Sequence, residues 1–519
     1  MRITNKMMTN NMLYNINRNR LNLSKLESQY SSGKRISRPS ENPMIAVRSL
    51  KLRTDLAELN QYFEKNIPDA KSWMDVTEAA LVTANDLLTD MHTQLVQGAN
   101  DTLTTSDRNS IIENIKQMAA QFYQEGDSDY AGRYVFTGFK TDTSLLFDKA
   151  TDNVSYSITQ HFKPRDIEYM SKVEETSTKV EETSTKVNGA SDFSSIDLKN
   201  LNPEYMTEAP SLVHSYRIKL AYSDLSNDSD ITSMLEIRDK DGQVVQGITV
   251  ASKSLSDTDV YNPTGDTVHF IPETGELIFG EDVLDTMRQA SDISFTYQKD
   301  SFKKDDLRPE HYFDCVKTEP SSPNLKLDMN DPNNKVIHYT KSNQEIQYEV
   351  NFNQKLTVNT QAKDAFSHDI KRLVEELVSV SDDVAITEER IREIEGYLED
   401  PNFENKAGLE RMLETLKVEL GLKNKVLQDV FSKGLTRVSD QQERLNIAVS
   451  DLGSRYVRLE LTESRLASQQ IDFEELLSQN EDVDLVDTII RYGAAETLYN
   501  ASLSAAGQIV KTSLLDFIR

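Results

Sequence analysis

Seven histidines, one cysteine and a large excess of carboxylates are the reactive groups of this chain, and their spacing offers little chemistry. His92, His161, His214, His269, His311, His338 and His368 are scattered, and no two stand four apart, the step that puts paired metal ligands on one helix face. There is no Gly-rich phosphate loop, no His-Glu-x-x-His and no Gly-x-Ser-x-Gly. DLSNDSD, Asp224–Asp230, sets oxygens at alternate places as a calcium loop does, but lacks the glycine at the sixth place and the glutamate at the twelfth. DMNDPNN, Asp328–Asn334, fails in the same way, so both read as solvated turns. Cys315 is the single cysteine, which excludes an internal disulfide and a multi-cysteine metal site. A thiol is reactive only when exposed near cations, so an inert one is expected. The paired carboxylates Glu375-Glu376 and Glu388-Glu389 fall on a predicted coiled-coil surface and read as solvated charge. No catalytic, cofactor or metal site is expected.

What must be explained is therefore how the helices and strands are arranged. At 519 residues the chain is long enough for about three or four domains. Hydrophobic residues make up 37% and charged residues 28%, which suits long helices and thin layers. A net charge of −27 would repel a phosphate backbone, so nucleic acid is not an expected partner. No apolar run reaches the ~18–20 residues of a membrane span, and no membrane insertion is expected. The opening MRITNKMMTNNML has no apolar core and no small-residue cleavage site, so a cleaved secretory signal is not expected. The first 35 residues carry seven Lys/Arg and one acid, Glu27, spread along an apolar-periodic pattern that reads as a solvated helix face.

Three zones follow one another. In residues 1–140, Met12, Ile16, Asn19, Leu23, Leu26 and Tyr30 are spaced 4, 3, 4, 3, 4, a heptad seam with one polar place. Seven Asn within residues 1–22 lower helix propensity, so this helix should need a partner. SSGKRISRPSENP, Ser31–Pro43, breaks it. Leu52, Leu56, Leu59 and Phe63 continue a stripe that Pro68 is expected to kink or break. Trp73 to Met91 and Ile111 to Phe122 carry two more stripes, the second after the capping residues of TTSD.

Residues 145–360 change to strand-like alternation, with Asp241-Gly242 and Thr274-Gly275 as hairpin turns, and predict one or two small antiparallel β domains. Within them Lys172–Thr178 and Lys179–Thr185 repeat one seven-residue unit, read as an exposed loop or linker.

Residues 361–519 are helical again. Ile370, Leu373, Leu377, Val380, Val384, Thr387, Ile391, Ile394 and Leu398 alternate steps of 3 and 4 until Asp400-Pro401 ends the helix. A return segment starts near Leu409, and the same rhythm runs from Phe431 to Leu477 with Gln442, Glu463 and Gln470 as its polar places. Such a helix is ~70 Å long and needs another long helix to cover it. In the last helix Ile489, Tyr492, Tyr499, Leu503, Ala506, Val510 and Phe517 form one stripe, with Leu514 beside it, and Ala494, Leu498, Ala501, Ala505 and Leu515 form another.

Two seam-bearing ends around a β insert are expected to run side by side. They carry more apolar face than one molecule can bury, so the chain should polymerise or dock into a polymer. The expected fold class is α+β and multidomain: a long helical bundle or coiled coil formed by both chain ends, with an inserted antiparallel β-rich domain. The expected parts are 1–43, an N-terminal helix and elbow; 44–144, the first part of a helical domain; 145–360, the β insert; 361–430, a helical hairpin insertion; 431–480, a long helix; and 481–519, the last helix.

This architecture resembles the flagellin superfamily and, within it, the hook-associated protein 3 family of hook–filament junction proteins. The motifs that carry the resemblance are MRITNKMMTNNML, SSGKRISRPSENP, GRYVFTGFKT (Gly132–Thr141), VSDLGSRYVRLELTESRL with FEELLSQNEDVDLVDTI, and the ending SLLDFIR. They lie in roughly 1–145 and 430–519; DLRPEHYF and IQYEVNFNQKLTVNTQAKDAF are similar to segments flanking the insert in some members. The resemblance implies a non-enzymatic junction subunit on the bacterial flagellum. It would be exported through the flagellar type III apparatus with a chaperone over its last helix. It would then assemble as a ring between hook-associated protein 1 and flagellin. Met12, Ile16, Leu23, Leu26, Tyr30, Ile489, Tyr492, Tyr499, Leu503, Val510, Leu514 and Phe517 would be the assembly seams. Gly33, Lys34, Arg35, Pro39 and Pro43 would form an elbow redirecting the chain from an inner tube to an outer layer. A filament flagellin, or a surface adhesin with a glycan-binding insert, are the alternatives.

Overall fold

The chain's architecture was read from a computed structural model, which describes residues 5–101, 103–173, 181–182, 185–186, 210–226, 234–257, 259–320, 334–401 and 403–515. In chain order its elements are α1 (Asn5–Ser32), α2 (Pro43–Gln61), a π turn (Tyr62–Asn66), α3 (Ile67–Gly98), α4 (Thr105–Glu125), β1 (Asp129–Tyr130) and β2 (Arg133–Tyr134). The insert holds β3 (Ser155–Phe162), β4 (Glu168–Val173), β5 (Glu181–Glu182), β6 (Thr185–Lys186), β7 (Leu212–Lys219), β8 (Leu235–Arg238) and β9 (Thr249–Ser252). It continues with β10 (Thr267–Ile271), β11 (Glu276–Phe279), α5 (Glu281–Gln289), β12 (Asp292–Lys299), β13 (Asp314–Pro320) and β14 (Asn334–Tyr339). A hairpin, β15 (Gln347–Asn351) and β16 (Gln354–Thr357), leads to α6 (Ala362–Ala365), α7 (Asp369–Glu399), α8 (Lys406–Glu481) and α9 (Leu485–Leu515). The fold is α+β and multidomain, with helices at both ends and a β-rich insert.

The contacts divide the chain into two units: Met1–Lys71 with Tyr348–Leu356 and Tyr456–Arg519, and Ser72–Gln347 with Thr357–Arg455. In the first unit Pro68, expected to kink or break the helix, follows a π turn and leaves no break. The π turn takes up the proline: Ile67 N–H bonds to Tyr62 O, one residue further back than in an α-helix, and α3 starts without a gap. The hairpin clasps this wide turn. Phe352 meets Tyr62 edge-on at 5.5 Å, Asn66 Nδ2 donates to Glu349 O at 2.8 Å, and Tyr348 Oη donates to Asp69.

In the second unit the predicted seams are packed. Trp73, Ala84 and Met91 of α3, Ile115 and Phe122 of α4, Leu373, Leu377 and Ile394 of α7, and Phe431, Val438 and Leu445 of α8 are fully or almost fully buried. α4 opens on the capping box of Thr104 and Asp107. α3 and α8 approach closely at Gly98, where a Cβ would lie 2.3 Å from the Phe431 ring.

The insert holds two five-stranded sheets, ordered β14-β13-β3-β12-β8 and β4-β7-β11-β10-β9. Tyr156, Ile158, Ile293 and Phe295 from the first meet Ile218, Phe270 and Leu277 from the second in one core, which Val283 and Met287 of α5 help to close. Among the described strands pairing is antiparallel, as expected of the insert, except between β9 and β10, which run parallel. The two are joined by a long excursion, residues 253–266, rather than by a tight turn, and parallel neighbours need such a crossover. Gly275 turns β10 into β11 with φ +62, and a Cβ there would meet Tyr222 O at 2.0 Å. In the seven-residue repeat, β4 takes in Lys172 and Val173 and β5 pairs with β6; its other residues, with 227–230 and 328–333 of the two acidic turns, lie outside the described residues.

The reading of Glu375-Glu376 as solvated charge is also corrected. Glu376 is largely but not fully buried, its side chain 13% exposed, and three cations converge on it. Arg217 and Lys219 come from β7, with Lys219 Nζ at 2.7 Å, and Arg437 comes from α8 at 3.0 Å. Arg217 also pairs with Glu276 at 2.6 Å, and Glu168 bridges Arg217 at 3.3 Å and Arg437 at 2.7 Å. Glu375 pairs with Arg372 one turn back on α7. Helical spacing placed the pair on a coiled-coil surface, but Arg217 reaches it from a strand 159 positions away. Among the described residues no helix is long and apolar enough to cross a membrane, and no group of three or more metal-ligating side chains comes together.

Candidate assembly site

The elbow is built from Gly33 outward. α1 stops at Ser32 because Gly33 takes φ +69, and its N–H bonds back to Gln29 O at 2.9 Å, the left-handed cap that ends many helices. The chain then pairs for a few residues with the link between α8 and α9. Arg35 N–H donates to Glu481 O at 2.7 Å, Val483 N–H donates to Gly33 O at 2.9 Å, and Lys34 stands opposite Asp482. Arg35 Nε donates to Asp482 O at 2.8 Å. On the other side Asn42 caps α2, with Pro43 at its first turn, and Asp484 accepts the Val486 N–H at 2.9 Å to cap α9. Pro39 lies in the exposed bend between these anchors.

Glu481 is the centre of this junction. Its carboxylate takes both Arg53 donors, Nε and Nη2, at 2.7 Å, the Lys34 ammonium at 3.2 Å and the Ser49 hydroxyl. Lys34 also reaches Asp482 at 2.6 Å, and Asn480 Nδ2 donates to Ile45 O at 3.1 Å. A fork-to-carboxylate pair fixes direction as well as distance. The Arg53 hydrogen bonds, aided by Ser49 and Lys34, hold the Glu481 carboxyl down to about 2. Its charged state therefore contributes stability above the usual carboxylate range, and that contribution is lost as pH falls from about 4.5 to about 2. Glu481→Gln is expected to lower stability by about 1–2 kcal/mol at neutral pH, since Lys34 and Arg53 stay half exposed to water. It should also flatten the acid limb of the unfolding curve. Urea unfolding at pH 7 and pH 3 checks this: a difference between the two proteins that is equal at both pH values excludes the assigned role.

Beyond the elbow α1 and α9 lie along each other. Tyr30 stacks on Tyr492 at 6.4 Å, and Asn19, the polar place of the α1 seam, donates to Ser502 Oγ at 2.9 Å. Met12, Ile16, Leu23 and Leu26 are half-buried, as are Tyr492 and Tyr499, while Tyr30 keeps about half its surface. Among the described side chains of α9, Thr488 and Ala495 are the buried ones; Ile489 and Leu503 stand outward. Val510 and Leu514 lie in α9 with side chains outside those described, and Phe517 lies outside the described residues. Met7, Met8, Leu13, Tyr14, Leu21, Val486, Ile490 and Leu498 add to the exposed apolar surface. Gly33, Lys34, Arg35 and Pro43 thus share one junction, and the described seam residues lie on α1 and α9. Glu481, Ser49 and Arg53 were missed by reasoning from sequence. The motif SQNEDVD drew attention to Glu481, but nothing local names partners more than 400 residues away.

The helices at the two chain ends pair through this elbow. Residues 3–141 match the bacterial flagellin N-terminal helical region and residues 435–518 the bacterial flagellin C-terminal helical region. A flagellin of Clostridium tyrobutyricum is 37% identical over 116 residues, 22% of this chain and 30% of that protein. The flagellar hook-associated protein 3 of Salmonella typhimurium is 29% identical over 153 residues, 29% of this chain and 47% of that protein. The chain spans less than half the length of these curated relatives. A solved structure of flagellar hook-associated protein-3 from Legionella pneumophila aligns over 82% of this chain and 97% of its own, with 11% identity and a TM-score of 0.29.

Proposed function

We propose that this chain is a structural subunit of the bacterial flagellum that joins the hook to the filament and acts without catalysis. The observation that carries the reading is the flagellin-type pair of ends. They are tied through Glu481 and leave a row of apolar side chains on α1 and α9 open to a neighbour. The likeness to hook-associated protein 3 points to the junction within that class. On this reading the subunit is exported through the flagellar channel, with a chaperone over α9. It then forms a ring between hook-associated protein 1 and flagellin, with the β insert outward. The proposed parts are those delimited from the sequence, with residues 361–430 as a hairpin that supports the insert.

The 37% identity to a flagellin favours a second reading, a filament subunit. Deleting the gene separates the two. Loss of a junction protein leaves bare hooks and filament subunits shed into the medium, and a labelled copy marks one band at the hook's distal end. Label along the whole filament overturns the junction reading.

A further inference from the structure

The hairpin formed by α7 and the start of α8 changes its support half-way along. Near its base both helices pack on the other helices of the second unit. A Cβ on Gly434 would meet Leu373 at 3.0 Å and Leu95 at 3.1 Å, and Phe431 lies against Gly98. Thr105 and Asn109 of α4 bond to Glu388 and Ser381 of α7. Arg108 donates to Asn424 Oδ1 at 2.9 Å, and Gln428 Nε2 donates to Ala99 O at 2.8 Å. Among the described residues α4 makes no hydrogen bond to α7 beyond Glu388 or to α8 before Asn424. Past those points the described apolar cluster belongs to the two helices and their link. Ile391 and Ile394 meet Leu409, Met412 and Leu416, with Leu398, Phe403, Leu413 and Leu420 around them. This distal end of α7 runs ~18 Å past Thr387.

A polar layer separates the two halves. Glu419 and Lys423, one turn apart on α8, form an ion pair at 2.9 Å, with side chains 0% and 7% exposed. Lys423 Nζ also donates to Thr387 Oγ1 at 3.0 Å, and that hydroxyl donates to Asp383 O at 3.0 Å. Thr387 is the polar place in the apolar rhythm from Ile370 to Leu398. A buried ion pair adds little stability over apolar side chains of similar volume, because desolvation offsets the attraction. It does fix register: a slip of one turn would set Glu419 and Lys423 against Val384 or Ile391. Two glycines weaken the distal helices further. Gly396 and Gly421 stand in helical backbone with open space where a Cβ would go, so packing does not require them. The surface ion pairs there, Lys417 with Glu395 and Arg411 with Glu414, are about half exposed and contribute little.

We propose that the layer of Thr387, Glu419 and Lys423 is a break point, past which the end of the hairpin opens and recloses as a unit of its own while the rest of the second unit stays folded. Five buried apolar side chains hold that end. The base is held by the core it shares with α3 and α4 and by the ion cluster around Glu376, and opening the end breaks neither. Because the layer admits one register, the end recloses in the pairing it left. The device does not depend on how copies of the chain assemble.

Native-state amide exchange on the full-length chain tests it. Residues 391–398 and 409–416 should exchange together, about a hundredfold faster than 373–384 and 430–445. Thr387→Val with Glu419→Leu and Lys423→Met should narrow that gap about tenfold, by joining the two apolar cores. Gly396→Ala and Gly421→Ala should each slow exchange of the distal residues about fivefold and leave the base unchanged. Both glycines are exposed, so these two chains fold whether or not the apolar layer packs. Equal exchange of the two halves in the wild-type chain overturns the break point, as does distal exchange that neither alanine slows. A gap left unchanged by the apolar layer, in a chain whose base is as protected as in the wild type, overturns its assignment to these three residues.

Discussion

Glu376→Ala is expected to remove about 3–5 kcal/mol of folding stability from the second unit, the usual effect of stripping one partner from a buried ion cluster. Three cations, Arg217, Lys219 and Arg437, balance three carboxylates, Glu168, Glu276 and Glu376. Burial alone would raise the Glu376 carboxyl, but Lys219, Arg217 and Arg437 outweigh it and keep it well below the usual range. Burial, with Arg217 close by, pushes the Lys219 ammonium down to about 8. Without Glu376, Arg217 and Lys219 remain buried against too little negative charge. Replacing Glu376 and Arg217 together by Met leaves two cations against two carboxylates. That double variant should regain most of the loss, because apolar residues of similar volume fill the site and the two charges that lose their partners, Lys219 and Glu276, stand opposite each other on β7 and β11. Urea unfolding and amide exchange on β4, β7 and β11 measure both variants. If the double variant is as unstable as the sum of the single ones, the cluster is not a coupled unit.

Removal of residues 500–519 is expected to abolish assembly while leaving the second unit folded. α1 begins with a poor helix-forming, Asn-rich run, and α9 is what covers it: Asn19 loses Ser502, and Met12 and Ile16 lose their neighbour. Amide protection over residues 5–20 should fall to near that of an unstructured chain. The truncated subunit should be absent from isolated flagella, with motility lost on the proposed function. Retained motility, or unchanged protection of α1, contradicts this role for α9.

Much of the fold was legible because its seams are local. The 3–4 rhythm of Ile370 to Leu398 and of Phe431 to Leu477 depends only on neighbours within two turns, and these residues are buried or half-buried. Gly33, Pro43 and the capping box at Thr104 are local signals as well. The failures share one physical cause, which is pairing over distance. Glu376 lies next to Glu375 at the edge of its own helix's apolar stripe, and Arg217 and Lys219 of β7 with Arg437 of α8 make it a hub. Glu481 looks like one acid in an acidic turn until Arg53 arrives from the other end of the chain. The parallel β9–β10 pair is invisible because strand direction is set by the path of residues 253–266 and not by alternation. Pro68 misled for another reason: a proline removes one donor, and a wide turn just before it absorbs the defect without a break.

That wide turn also sets the clocking of everything before it. A π turn holds one residue more than an α turn, so it rotates the preceding helix by about 100° relative to the one that follows. Ser49 and Arg53, on the helix before that turn, are the side chains that reach Glu481, while Met44 and Val47 stay exposed. One surplus residue between Tyr62 and Asn66 thus shifts the register of α2 by one residue against a helix that ran on without it.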